Sequence, residues 1–257
     1  MRLLIALLCL IPTAHASSNL SLALLDFFPF GRLDHTQKPV GSMVDMIHAI
    51  SKQAKLPIQV KLMPVPRALR AVTLGHEDLM ISYKDEQMLP GVQFLGNVGC
   101  LTALMIPHKQ ANIATLKDLK GKRIGFITGG YFHIKFAHHY GLIPVEVPSN
   151  ESMLKMTLRG RLDGFIINGA VLGAYRKGLA THARLPDNWQ DLIDTPIPLE
   201  TMETHLSISK QSKLQHLAPQ LSQAIQQLWQ AGTFQRIYDH YGQGDSTACN
   251  PQPGTQP

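Results

Sequence analysis

The residues best suited to chemistry lie in the stretch LKDLKGKRIGFITGGY, residues 116–131. A short apolar run, 123–127, leads straight into Thr128-Gly129-Gly130-Tyr131, and a helix-like segment follows. Glycines between a strand and a helix leave backbone N–H groups open, and the positive end of the helix dipole adds to them. Such a turn suits an anion. The same residues also satisfy a plain strand-to-helix turn that needs positive φ. Other groupings carry less. The chain has 12 histidines, of which His133, His138 and His139 lie close together, but their spacing spreads them over different faces of a helix. Neither HExxH nor a paired-cysteine motif is present, so no metal centre and no cofactor are expected. Serine, histidine and aspartate occur without a G-x-S-x-G elbow, which gives no ordered setting for nucleophilic catalysis.

At 257 residues, 44% hydrophobic and 16% charged, the chain can bury a sizeable core. Its first residues read differently. Arg2 precedes the apolar run 3–11, then Pro12 and Ala14-His15-Ala16. A basic start, a short apolar stretch and an A-x-A site form a secretory signal peptide, here residues 1–16, with cleavage expected after Ala16. The apolar run is too short to anchor the chain in a bilayer. Cys9 would leave with the signal, and Cys100 and Cys249 would remain in an oxidising compartment. They form either a disulfide, which would pin the Gly/Pro/Gln-rich tail to the middle of the chain, or two separate thiols. The formal charge of +6 is modest and scattered, without the basic stripes of a nucleic-acid binder.

The elements that must position these residues follow from periodicity. Residues 20–25 read as a buried strand. Met43, Ile47, Ile50 and Ala54 share one helical face, and Ile58, Val60 and Leu62 alternate as a strand. Pro64 and Pro66 open a second helix that stops at Gly75, before a strand over 78–83. Residues 84–99 are expected to be irregular and 100–106 extended. The second half repeats this order, and Gly75-His-Glu-Asp78 and Gly160-Arg-Leu-Asp163 occupy the same slot in each. Two similar α/β units predict two lobes with a cleft between them. Residues 206–209 give one more strand. Pro219 opens a helix ended by Gly232, and Thr233 is expected to cap a last helix whose aromatics belong to the core.

In this order the residues resemble the bacterial extracellular solute-binding proteins of family 3, the amino-acid-type periplasmic binding proteins. The matching pieces are Phe27-Phe28-Pro29-Phe30, Gly41 with Asp45, Arg67 with Gly75 and Asp78, and Asp118-Leu119-Lys120-Gly121-Lys122. Gly160-Arg161-Leu162-Asp163, Ser209-Lys210 with Leu214, and Ala231-Gly232-Thr233-Phe234 with Ile237 and Tyr241 complete the set. The resemblance implies a type II periplasmic binding protein fold of two α/β lobes joined by two crossing strands. Lobe 1 would hold residues 17–102 and 206–257, and lobe 2 residues 103–205, closing by a hinge.

The resemblance also implies a ligand site. Phe27 would pack on the ligand, Ser82 and Tyr83 would offer hydrogen bonds, and the Gly129-Gly130-Tyr131 turn would meet a carboxylate. The arginine that usually clamps that carboxylate falls at Met88, and the usual acidic partner of the α-ammonium falls at Asn168. Arg67, or else Arg70 or Lys84, would supply compensating charge, and His205 would stand at the return crossing. The implied function is capture of a small, polar, carboxylate-bearing, amino-acid-like solute in the periplasm, by a monomer, for an inner-membrane ABC transporter. A sensor component presenting ligand to a membrane receptor is the alternative. A dehydratase-like enzyme drawing on Glu200 or Glu203 is a weaker one.

Overall fold

The first strand sets the plan. In a computed structural model, which describes residues 19–26, 28–85, 89–129, 139–179 and 185–243, β1 (Leu20–Leu25) pairs in parallel with both β4 (Ile58–Met63) and β5 (Leu79–Tyr83). Between them in sequence lie β2 (Arg32–Leu33), β3 (Pro39–Val40), which pairs with β2, and α1 (Ser42–Ala54). A strand with neighbours on both sides must be covered on both faces, so its side chains are apolar almost throughout. Leu20, Leu22 and Leu24 point to one face, against Met43, Ile47 and Ile50 of α1. Ala23 points to the other, with Ala68 and Val72 of α2 (Val65–Thr73). Each fully buried aliphatic side chain contributes roughly 1.5–3 kcal/mol of transfer free energy.

The second half is built alike. A short 3-10 turn, Leu116–Leu119, is capped by Thr115 and Asp118. It precedes β7 (Arg123–Ile127), which is parallel to both β8 (Ile143–Val147) and β9 (Gly164–Asn168). The helix α3 (Asn150–Leu158) starts where Ser149 Oγ accepts from Ser152 N at 3.1 Å, and α4 (Gly169–Arg176) follows β9 directly.

Two long strands carry the halves. β6 (Val92–Pro107) and β10 (Ile197–Ser209) pair antiparallel along most of their length, and the full sheet runs β4-β1-β5-β10-β6-β9-β7-β8. The end of β10, Thr204 to Ile208, pairs with β5, whereas the end of β6, Ala103 to Pro107, pairs with β9. The ladder shifts register between Pro198 and Glu200, at Thr204/His205 and at Leu206/Ser207. After β10 come α5 (Ala218–Gln230) and α6 (Thr233–His240), which cover the first half with Leu221, Ile225, Phe234 and Tyr238. Trp229 donates its indole N–H to the Asn97 carbonyl on β6 at 2.7 Å.

Three expectations change. Residues 92–99 are strand rather than irregular, because pairing with β10 overrides the weak strand preference of Gly96, Asn97 and Gly99. β10 begins at Ile197, well before residue 206, for the same reason. Thr233 is the first helical residue of α6, and the cap is Gly232 at φ 65°, a conformation that favours glycine. The helix expected after Tyr131 falls mostly outside the described residues.

Candidate functional site

In each half the parallel strands end toward the other half. β5 delivers Ser82 and Tyr83, β9 delivers Asn168, and β7 leads to Thr128 and Gly129. Carboxyl ends of parallel strands are where such sheets place ligands.

Among the described residues, two contacts join the two walls. Asn168 Nδ2 donates to the Tyr83 hydroxyl at 3.2 Å. The other end of the same amide, Oδ1, accepts from Ala170 N at 2.8 Å and caps α4. The second point is Gly129, at φ 68°, where an added Cβ would lie 2.8 Å from Pro66 Cγ. Glycine is thus required there twice, for its backbone conformation and for the approach of α2. Thr128 fixes the preceding residue, since both its N–H and its hydroxyl donate to the Val147 carbonyl, at 3.0 and 3.2 Å. Ser82 spends its hydroxyl proton on the Tyr83 carbonyl at 3.1 Å.

Arg67 lies in the first turn of α2, next to Pro66, and is exposed, with no ion pair among the described residues. Of the residues expected at the site, Tyr83 and Asn168 meet directly. Gly129 abuts Pro66, and Ser82 stands beside Tyr83 on the strand. Phe27, Met88, Gly130 and Tyr131 lie outside the described residues, as does Cys249.

His205 pairs with Ser82 across the β5–β10 ladder, and on its other side the β6–β10 ladder shifts register between Thr204 and His205. Its ring is buried, lies edge-on to Phe94 at 5.8 Å, and meets Glu203 Oε2 at 2.8 Å. Burial pulls its pKa below the ordinary imidazole value, with Lys84 adding to that and Glu203 opposing it. His205 is therefore a structural neighbour of Ser82. Two features escaped sequence reasoning. Pro66 forms a wall opposite Gly129, and the Pro-Val-Pro spacing was the available signal. Thr102 and Thr201 share a hydroxyl hydrogen bond of 2.8 Å across the crossing strands. Only two threonines in strand-like stretches hinted at it.

Among the described residues, no three His, Cys, Asp or Glu side chains converge as a metal site would require. A surface depression of about 360 Å³, bordered by His108, Lys109, Arg159 and Asp191, lies before the start of β9. It faces away from Asn168 and joins elements of the second half only.

The model of the bacterial extracellular solute-binding proteins, family 3, matches residues 22–244. This chain belongs to that family. A search of curated proteins returns no match. Among solved structures, an ancestral arginine-binding protein bound to arginine is similar at TM-score 0.71 and 21% identity, covering 87% of this chain and 97% of that one. A histidine kinase sensor domain with similarity to periplasmic binding proteins gives 0.73 and 16%, over 87% and 96%. The substrate-binding protein of an amino acid ABC transporter gives 0.70 and 17%, over 87% and 98%. Identities this low speak for the fold alone, and the fold is that of a type II periplasmic binding protein. As a family 3 member, the chain is a divergent extracellular solute-binding protein. Among the described residues, no helix is long and apolar enough to cross a membrane.

Proposed function

We propose that the protein captures a small, polar, carboxylate-bearing solute of amino-acid size in the gap between its two halves, and hands it to an inner-membrane ABC transporter. The observation that carries this reading is the meeting of Tyr83 and Asn168, from the carboxyl ends of strands in different halves. In this reading the lobes are residues 17–102 with 206–257, and 103–205, and the protein works as a periplasmic monomer after loss of residues 1–16. The exchange of partners on β6 and β10 supports the division. Gly129 amides and Arg67 hold the carboxylate, while Tyr83, Ser82 and Asn168 bind its polar groups. Phe27 and Tyr131 wall the site and Gly130 completes the turn. In this reading Cys100, buried on β6, is bridged to Cys249.

The ligand is bound and released unchanged, so incubation followed by recovery of intact solute is the first check against an enzyme. A thermal-shift screen over amino acids, peptides, organic acids and nucleosides identifies the solute, because a ligand that binds only the folded state raises Tm by mass action. With the ligand known, Arg67→Ala weakens it about 10- to 100-fold, the loss expected for a charge-assisted hydrogen bond. Unchanged affinity removes Arg67 from the site. The sensor alternative is favoured by the likeness to a histidine kinase sensor domain. Co-purification with a permease or with a membrane kinase separates the two.

A further inference from the structure

We infer that the cleft takes a small organic acid and rejects the α-amino acid of the same carbon skeleton, because Asn168 presents it with donors only. The inference rests on the reading of this gap as the solute site.

A side-chain amide has one accepting end and one donating end, and which faces a ligand is decided by its other neighbours. For Asn168 the choice is closed. Ala170 N lies 2.8 Å from Oδ1, and a backbone N–H can only donate. Turning the amide over would set N–H against N–H and leave the first turn of α4 uncapped. The amino end is therefore the one aimed across the gap, where it lies 3.2 Å from the Tyr83 hydroxyl. The N-terminus of α4, at the same point, adds positive partial charge.

An ammonium group brought here calls for a carboxylate to balance its charge, and the oxygens facing Asn168 among the described residues are neutral hydroxyls. The Tyr83 hydroxyl already accepts from Asn168. The Ser82 hydroxyl gives its proton to the Tyr83 carbonyl, which leaves its oxygen as an uncharged acceptor only. Glu203, the carboxylate on the neighbouring crossing strand, is half exposed and has one oxygen bonded to His205 at 2.8 Å. Asp85 has its own partner. Among the described residues Asp26, exposed just beyond β1, is the remaining acid at these strand ends. A cation enclosed against donors is strongly disfavoured, whereas a hydroxyl, keto or carboxylate oxygen in its place accepts from Nδ2. With a carboxylate at the Gly129 turn, the ligand class is a small hydroxy, keto or dicarboxylic acid.

The test uses matched pairs on the full secreted chain, by thermal shift and calorimetry: succinate against aspartate, glutarate against glutamate, and lactate against alanine. In the wild type at least one organic acid binds ten-fold or more tightly than its amino acid. Asn168→Asp keeps a good helix cap but replaces the donor by a carboxylate, and reverses that preference. A wild type that prefers the amino acid, or a preference untouched by Asn168→Asp, overturns the inference and leaves solute capture standing. Binding of only a nucleoside or a peptide does the same. If no solute of the wider screen binds, both readings fall.

Discussion

The slot Gly-x-x-Asp occurs once in each half, and the two copies are finished differently. Both aspartates tie down the start of their half's first strand. Asp78 accepts from Ser21 N at 2.9 Å, and Asp163 accepts from Arg123 N at 2.7 Å. The glycines match as well, at φ 74° and 66°. What differs is how the rest of each carboxylate is satisfied. Asp78 takes hydroxyls, from Ser21 at 3.0 Å and from Ser212 at 2.6 Å, the latter beyond β10. Asp163 takes the guanidinium of Arg123, at 3.2 and 3.1 Å. The first half receives the chain back after β10, so a third segment can pack over its aspartate. The second half is one continuous stretch, and its aspartate draws its charged partner from the strand it fixes. Equal slots thus specify equal strand starts without specifying equal surroundings.

The largest separation is expected on deleting the carboxylates. Asp78→Ala loses three bonds in a half-buried place and costs about 3 kcal/mol in denaturant unfolding. Asp163→Ala costs less than half of that, since its partner is exposed. Equal losses would show that only the strand-start bond matters. Next come the glycines. At Gly75 an added Cβ would lie 2.5 Å from Gln211 Cβ, whereas at Gly160 it would meet nothing within 4 Å. Gly75→Ala should therefore cost about 2 kcal/mol, against about 1 for Gly160→Ala, which carries the backbone term alone.

Acid titration sharpens the contrast further. Burial pushes the Asp163 carboxyl up, but the bonds and charge of Arg123 outweigh it and hold the group below its ordinary value of 3.8. The stabilisation is full above that value and is lost as pH falls below it, through the folded-state pKa, so Asp163→Asn flattens the stability curve there. His205 acts in a separate window. Its folded-state pKa lies below 6.5, so stability is full above 6.5 and declines as pH falls beneath it. His205→Asn removes that decline and leaves the acid one. The smallest effect is that of salt. Raising ionic strength shrinks the cost of Asp163→Ala and leaves that of Asp78→Ala unchanged.

Much of this was legible in the residues. The alternation of Ile58, Val60 and Leu62, the helical face of Met43, Ile47 and Ile50, and the paired Gly-x-x-Asp slots led to the two halves. The crossing strands were not legible in full. Gly96, Asn97 and Gly99 weaken a local strand signal, and only the distant partner β10 restores it. At the site, the family resemblance pointed to Tyr83 and Asn168, but no spacing between positions 83 and 168 announces a hydrogen bond. Nor does an asparagine reveal which end of its amide it will turn to a ligand. That depends on Ala170, whose role as a capped amide appears only once the helix has a start.

The indole of Trp229 has a further consequence. Its N–H is bonded to Asn97, which stands opposite His205 where the crossing ladder shifts register, and its ring lies edge-on to Phe234 at 5.1 Å. Any twist of β6 at that step stretches this bond and alters the polarity that the excited indole senses. If the proposed solute capture twists the crossing strands at this step, the emission of Trp229, read in a Trp189→Phe background, would shift on adding solute and report it without any attached dye.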